Sequence, residues 1–389
     1  MLALLLIIPT LAFVPVQFFI LPAIYLISFR KSRFLTTNNT DIIYGIDKNL
    51  LIIFLLIFAT ALNKWLHLEQ DYAIGDFYPY TMATLITYFI AKNLREKDLK
   101  LLVVLIVVEA VVVCIQYMMG VNTFFEALNQ FNENITKNPD VLYNRRALGL
   151  SENSSVIAYK LFLAYLIMDY FKMRNTLYLL FRIILIAGIF FTFNRTVFLV
   201  CFVYIIFSLV RLYAPIIDNM LSKKIALYQV KYLVLAILGI LILSVVSVFY
   251  VDEIISQLTR GRNDGFDLSG RGHIWEGFID FIKENTWFGN GGEKYYVEHR
   301  GKDAHGHNSF LQVIATHGAL IFVIYLWLVF RNINSNNFLF IFLILVYSLF
   351  QYGIFWGTSL MDIIFFKLLL FFDDDPPKNR IEMNPAKTK

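Results

Sequence analysis

Charged residues are scarce in this sequence. Only 16% of its 389 residues are charged, whereas 58% are hydrophobic, and an average soluble domain carries about 25% charged residues. A chain with so few charges cannot cover a water-facing surface. We therefore predict an integral membrane protein of the all-α class, because a helix satisfies its own backbone hydrogen bonds in lipid.

Cysteine and excess charge of one sign are also nearly absent. The two cysteines, Cys114 and Cys201, lie inside apolar runs, which predicts small buried hydrophobes and neither a disulfide framework nor a thiolate metal site. The net charge of +5 is modest, and the basic residues form short clusters between apolar runs. That pattern is typical of membrane topology and excludes nucleic acid as a partner. Residues 1–29 lack a basic leading segment, so no cleavable signal is expected.

Apolar runs divide the chain into candidate membrane helices. The runs fall at about 2–29, 49–63, 77–91, 99–119, 154–171, 177–193, 196–213, 230–250, 309–330, 337–356 and 359–372. The first contains three prolines and predicts one kinked or two short helices, so eleven or twelve spans are expected. With no repeat and no linker, 1–372 is one transmembrane domain, and 373–389 is a disordered cytoplasmic tail.

Basic residues predict which loops face the cytoplasm. They occur at every second connection: Arg30, Lys31, Arg33, Lys92, Arg95, Lys97, Lys100, Lys172, Arg174, Arg211, Lys223, Lys224, Lys231 and Arg331. Both termini then face the cytoplasm. By alternation, segments 64–76, 120–153, 194–195 and 251–308 lie outside the cytoplasmic membrane, and 251–308 is the one large loop.

Several basic residues on the outer side run against this trend. Arg145, Arg146 and Arg195 flank spans, and Arg195 has almost no loop around it. A charge at the edge of the hydrocarbon is costly and indicates function. The alternatives are snorkelling of Arg195 to lipid phosphate and ordinary interfacial anchoring by Arg145 or Arg146.

The large loop contains a short amphipathic pattern. Its apolar positions Ile274, Phe278, Phe281 and Ile282 recur at helical spacing, which predicts a helix lying in the membrane interface. Arg271 and Trp275 are four residues apart and share a face of that helix. The following Gly-rich turn at 287–292 is expected to reverse and cap the chain, because its spacing does not fit a phosphate-binding loop.

The loop ends in His305-Gly306-His307-Asn308, directly before an apolar run. A neutral imidazole there can accept a proton, so His307 is a candidate general base. A metal-binding histidine pair and a purely structural helix end remain alternatives. Arginines bind phosphate oxygens, and a base with arginines fits displacement of a lipid diphosphate from a sugar.

Across residues 140–330 the chain resembles the O-antigen ligase and polymerase superfamily. The resemblance is carried by Arg146-Ala-Leu-Gly, Asn194-Arg195-Thr, Ser269-Gly-Arg271 with Trp275 and the later Gly289-Asn290-Gly291, and His307-Asn308 with the later Gly318. It implies a GT-C-like fold, in a multi-pass protein of the bacterial inner membrane. It also implies a donor linked to undecaprenyl diphosphate, metal-independent transfer without a cofactor, and His307 as the base.

The resemblance also implies substrate-binding roles and partners. Arginines hold the donor diphosphate, and the substrate-binding candidates are Arg145, Arg146, Arg195, Arg271, Trp275, His305 and Asn308. Partners are a glycan or lipid A core acceptor, a chain-length regulator and a flippase. A polymerase is favoured over a ligase, which differs only in the acceptor. A lipid-linked glycan transporter is a further alternative. A transporter is expected to have charged residues within its spans, and here the spans are nearly free of acidic residues, with Glu109 and Asp169 the main exceptions.

Overall fold

The structure is a computed structural model. It describes residues 1–11, 14, 16–30, 42–43, 46–67, 83–124, 146–173, 175–221, 271–299, 302–354, 357 and 359–371, with only the backbone at 16–17, 42–43, 46, 209–221 and 302. Arg145, the predicted span at 230–250, the first part of the large loop and the tail lie outside the described residues.

The described residues form thirteen α-helices and two short hairpins. The helices are α1 Leu2–Ile7, α2 Ile20–Phe29, α3 Lys48–Leu66, α4 Ala83–Asn93, α5 Glu96–Met118, α6 Ser154–Tyr170, α7 Thr176–Phe191, α8 Arg195–Leu221, α9 Arg271–Glu284, α10 Ser309–His317, α11 Ala319–Arg331, α12 Phe338–Phe350 and α13 Leu360–Leu370. Strands β1 Ile42–Ile43 and β2 Ile46–Asp47 pair antiparallel, as do β3 Val297–His299 and β4 Lys302–Ala304.

Exposed apolar side chains are typical of helices that face lipid. Among the described residues, α3 and α5 are long and apolar enough to cross a membrane, and α2, α7, α11, α12 and the Arg195–Ser208 part of α8 are shorter apolar helices. Leu180 and Ile183 on α7, Phe202 on α8 and Val323 on α11 are all more than half exposed. An outward apolar face agrees with an all-α membrane protein. The number of spans and the GT-C-like topology remain predictions.

Helix α5 contacts α1, α6 and α7. Small residues permit this packing. A Cβ added at Gly188 on α7 would lie 2.8 Å from Leu161 Cδ1 on α6 and 3.4 Å from Ala110 Cβ on α5. Small side chains let membrane helices approach closely, so Gly188 brings α7 against both neighbours.

Two of the apolar runs each form two helices in the structure. The first run forms two short helices, α1 and α2, with 3-10 turns at Ile8–Thr10 and Val16–Phe19 between them. The run at 309–330 was expected to be one helix, and this prediction was wrong, because the chain breaks at Gly318 into α10 and α11. Gly318 has a φ of +84°, and a Cβ there would lie 2.0 Å from the Trp287 carbonyl oxygen. The break therefore requires glycine.

The predicted amphipathic helix in the large loop is confirmed as α9. Ile274 and Phe278 are buried, and Phe281 and Ile282 pack partly buried against the same cluster with Ala315 of α10. The helix also contacts β3, where Val297 lies 3.0 Å from a Cβ placed on Gly277. α9 is thus fixed against α10 and the β3–β4 hairpin.

Candidate functional site

The histidine pair lies between the β3–β4 hairpin and helix α10. Asn308 is the N-cap of α10, and its Oδ1 accepts hydrogen bonds from the backbone N–H groups of Phe310 at 2.9 Å and Leu311 at 3.1 Å. This is the usual role of Asn at a helix start. It fixes where α10 begins and leaves His307 immediately outside the helix. The substrate contact predicted for Asn308 stays a prediction. Because Oδ1 is engaged in the helix cap, that contact is assigned to the side-chain Nδ2.

His307 has a strained backbone. Its φ is +46°, in the left-handed region that few non-glycine residues adopt, and such strain is often found at functional sites. The neighbouring Gly306 is held on both sides. Its carbonyl oxygen accepts from Trp275 Nε1 at 2.6 Å, and its N–H donates to Gln312 Oε1 at 3.1 Å. Trp275 therefore positions the segment that carries both histidines.

The two imidazole rings lie together. The centroids of His305 and His307 are 4.1 Å apart, and the Tyr352 ring lies edge-on at 6.3 Å from that of His305. Burial, together with the smaller effects of the positive charges on Lys294 and Arg271, lowers the pKa of His305 to about 4. His305 is thus neutral near pH 7.

Arg271 is held at the first position of α9. Its Nη1 donates to the carbonyl oxygen of Phe350 at 2.8 Å, and the Trp275 ring lies 6.4 Å from the Phe350 ring. Arg271 and Trp275 share a face, as predicted, and that face meets the end of α12. The contact brings Arg271 within electrostatic range of His305.

Lys294 is a residue of this site that sequence reasoning missed. Its Nζ lies 5.2 Å from the ring centre of Tyr296 and 5.3 Å from that of Tyr352. Partial burial lowers the pKa of Lys294 to about 8. The signal that marked the outer arginines applied here as well, since Lys294 is a basic residue on the predicted outer side.

Arg146 and Arg195 belong to a second group, where α6, α7 and α8 meet. The N–H of Ala147 donates to the carbonyl oxygen of Phe191 at 3.1 Å, which joins the Arg146 segment to the end of α7. Gln116 of α5 bonds both the N–H and the carbonyl of Gly149, at 2.8 and 2.9 Å. Arg146 is half-buried.

Arg195 is half-buried at the first position of α8. The preceding Asn194 accepts from the N–H of Val197 at 3.0 Å and donates from Nδ2 to Ser155 Oγ at 2.9 Å. Asn194 thus caps α8 and ties it to the start of α6. The Asn194-Arg195-Thr motif has a local structural role in addition to its charge.

The two groups lie toward the same end of the bundle. Tyr159, near the start of α6, stacks on Tyr347, near the end of α12, with ring centroids 4.1 Å apart at 18°. Arg271 acts electrostatically on Tyr347 and bonds the terminal Phe350 of α12. The structure therefore links Arg271 to the neighbourhood of Ser155 and Asn194 through one pair of helices.

A buried ion pair supports the segment that carries Arg146. Lys160 Nζ lies 2.7 Å from Glu109 Oε2, and both side chains are at most 2% exposed. Glu109 also accepts from the N–H of Leu150 at 3.2 Å and from Ser151 Oγ at 2.9 Å. Glu109 is therefore a structural anchor between α5, α6 and the segment that carries Arg146.

The Gly-rich turn at 287–292 caps α10, as the sequence predicted. The N–H groups of Asn290 and Gly292 donate to the carbonyl oxygens of Ala315 at 2.8 Å and Thr316 at 2.9 Å. These bonds satisfy carbonyls that the end of a helix leaves open. Both N–H groups are engaged, which argues against a phosphate-binding role.

The described part of the chain contains no group of three or more His, Cys, Asp or Glu residues placed to hold a metal ion.

These features define a helical membrane-type protein that gathers imidazole and cationic groups at the end of its bundle. Residues 180–326 match the family model described as O-antigen ligase. The matched range contains Arg195, Arg271, Trp275 and His307 and begins after Arg146. The match confirms the resemblance to the O-antigen ligase and polymerase superfamily. No curated protein and no solved structure matches the chain.

Proposed function

We propose that the protein is a glycosyltransferase that moves a glycan from undecaprenyl diphosphate to an acceptor hydroxyl, on the outer face of the bacterial inner membrane. One observation carries this proposal. Within the family-matched range, a strained His307 lies against a neutral His305, with Arg271 in electrostatic range. A base beside cationic groups is the chemistry that displacement of a diphosphate requires.

The reaction is a displacement at the anomeric carbon of the donor. The acceptor hydroxyl loses its proton to the His307 imidazole as its oxygen bonds to the anomeric carbon. The bond from that carbon to the diphosphate oxygen breaks, and the electron pair leaves with the diphosphate. We assign Arg271, Arg195 and Arg146 to stabilise the departing charge, because guanidinium groups bind phosphate oxygens in bidentate fashion.

His305 contributes by remaining neutral. A second imidazolium 4.1 Å from His307 would disfavour proton uptake by the base, because like charges at short range repel. Burial, Lys294 and Arg271 together hold the pKa of His305 near 4. The site thus keeps its positive charge on Arg271 and Lys294 and leaves the His305 imidazole neutral.

Polymerase and ligase differ in the acceptor. The sequence favours a polymerase, which adds the glycan to a second lipid-linked repeat unit. The matching family model is described as a ligase, which supports the alternative acceptor, lipid A core. Either acceptor presents a hydroxyl to His307, so the mechanism is common to both.

Transport of a lipid-linked glycan is weakened as an alternative by the partners of the acidic residues. A transporter uses charged groups at mid-membrane depth. Glu109 is committed to Lys160, and Asp169 contacts Arg182 at 3.3 Å and bonds Tyr204. The main acidic groups of the spans therefore have structural partners.

The surface glycan of a deletion strain tests the proposed function. Loss of the long-chain ladder, with one repeat unit still attached, indicates a polymerase. Loss of all attachment, with polymer left on the lipid carrier, indicates a ligase. An unchanged profile contradicts both. A purified reaction that continues in EDTA supports metal-independent transfer, whereas one that depends on divalent cations contradicts it.

A further inference from the structure

Beside the histidine pair lies a second cluster, built from one lysine and two tyrosines. The Nζ of Lys294 is 5.2 Å from the Tyr296 ring and 5.3 Å from the Tyr352 ring. Tyr296 is exposed, whereas Lys294 and Tyr352 are half-buried. The cluster thus has an open side at Tyr296 and a sheltered side at Tyr352.

Tyr352 connects this cluster to the candidate base. Its ring lies 6.3 Å from that of His305 at 83°, and the His305 ring is 4.1 Å from that of His307. Lys294 also acts electrostatically on His305. A ligand held by the lysine and the tyrosines therefore lies next to the group that takes the acceptor proton.

The three side chains suit a particular ligand chemistry. Aromatic faces supply broad apolar contact together with a polar hydroxyl, and binding sites combine such faces with a few placed polar groups. The apolar face of a sugar ring can pack on tyrosine. A lysine ammonium is a compact charge that pairs with carboxylate or phosphate.

We propose that Lys294, Tyr296 and Tyr352 form a subsite for an acidic sugar of the acceptor glycan, such as a uronic acid. The placement on the acceptor side rests on the proposed function, because it follows from the role of His307 as base. The binding of an acidic sugar by these three side chains does not rest on the proposed function. Burial already lowers the pKa of Lys294 to about 8, and a bound carboxylate favours the charged lysine.

Binding is measured on the full chain in lipid nanodiscs, with lysines labelled by reductive ¹³C-methylation. The Lys294 signal is assigned by its absence in Lys294→Arg. The probes are methyl glucuronide, methyl glucoside and inorganic pyrophosphate. We expect the glucuronide to move the Lys294 signal and raise its pKa, and the glucoside to leave the pKa unchanged. In Lys294→Met, which lacks this signal, glucuronide affinity is measured by isothermal titration calorimetry beside the unchanged protein, and it should fall at least about tenfold, as for loss of a charged hydrogen bond.

The control variant is Lys283→Met, which removes an exposed lysine of α9 that pairs with Asp280 outside the cluster. It should bind glucuronide as the unchanged protein does. Equal binding of glucuronide and glucoside would overturn the acidic specificity. A Lys294 response to pyrophosphate without one to glucuronide would assign the lysine to the diphosphate and also overturn the proposal.

The same titration in His307→Ala separates this proposal from the proposed function. Binding that persists in this variant supports the subsite, since the measurement needs no turnover. If surface glycan is normal in a His307→Ala strain, the assigned base fails and the binding result stands. If His307→Ala abolishes transfer while glucuronide does not bind, the subsite alone fails.

Discussion

Charge is handled in opposite ways in two regions of the molecule. Inside the bundle, Lys160 and Glu109 are paired at 2.7 Å with both side chains at most 2% exposed. Beside the histidines, Arg271 and Lys294 carry charge of the same sign, and both act on His305. In the buried pair, each charge is balanced by the opposite charge of its partner. Arg271 and Lys294, here called the outer cluster, concentrate positive charge. This arrangement is expected where an anionic substrate is bound.

The contrast separates a charge pair that holds the fold from charges that we assign to substrate binding. Removing one partner of the inner pair should damage stability. Changing the outer cluster should damage activity and titration behaviour, with little effect on folding.

The largest effect is expected for His307→Ala. General-base catalysis contributes about 10²–10⁴-fold to rate, so we expect transfer to fall by roughly that factor while the protein still inserts. Transfer is followed as surface glycan formation and in a purified reaction. Arg195→Ala and Arg271→Ala should also abolish formation of the surface glycan. The control is His273→Ala, because the His273 side chain is 85% exposed on α9. Normal glycan in the His307→Ala strain would rule out the assigned base.

Next in size is the loss of stability on breaking the inner pair. Glu109→Gln or Lys160→Met leaves one buried charge without its partner, which costs about 3–5 kcal/mol. The double variant should lose less than the sum of the two, since neither charge remains. Unfolding in detergent measures all three. Fully additive losses would show that the two residues do not stabilise each other.

A smaller effect is expected at the break between α10 and α11. Gly318→Ala places a Cβ 2.0 Å from the Trp287 carbonyl at a φ of +84°, and strained backbone alone costs about 1–3 kcal/mol. The matched control is Gly272→Ala in α9, where nothing lies within 4 Å. Alanine there should be neutral or stabilise by up to about 1 kcal/mol. Equal unfolding temperatures for the two variants would contradict the predicted clash.

The smallest effect is a change in the titration of His305. Lys294→Met should raise its pKa from about 4, and Arg271→Gln should raise it less, because Lys294 is the larger electrostatic cause. Burial remains, so the pKa should stay below the ordinary 6.5. The contribution of neutral His305 to the free energy of unfolding is present above pH 6.5 and is lost as the pH falls toward 4. Because either variant raises the pKa of His305 in the folded protein, it should narrow the pH range over which this contribution is lost. NMR titration of labelled histidine measures it, and an unmoved pKa would contradict the assigned cause.

Local patterns explain what the sequence predicted well. The apolar run predicted to begin at residue 309 does begin a helix there, where Asn308 accepts hydrogen bonds from the next backbone N–H groups along the chain. Helix α9 was predicted from Ile274 and Phe278, because helical spacing places them on one buried face. Both predictions use contacts between residues close in sequence, which a single chain reveals.

Contacts between distant residues were not predictable in the same way. Glu109 was recognised as unusual, but its partner Lys160 lies 51 positions away. Lys294 was missed although it is basic on the predicted outer side, and its contact with Tyr352, which follows α12, joins distant parts of the chain. The break at Gly318 was missed because apolar residues continue on both sides, and the cause is the approach of Trp287.

The turn at 287–292 has a consequence for the order in which the molecule folds. It caps α10 through Ala315 and Thr316, so the segment from the end of α9 to Gly318 closes over a short stretch of chain. Asn63 of α3 then bonds the carbonyl oxygens of Phe288 and His317, across 225 and 254 positions. Short loops close at lower entropic cost than long ones. We therefore expect this local unit to form first and its contact with Asn63 of α3 to form late in folding.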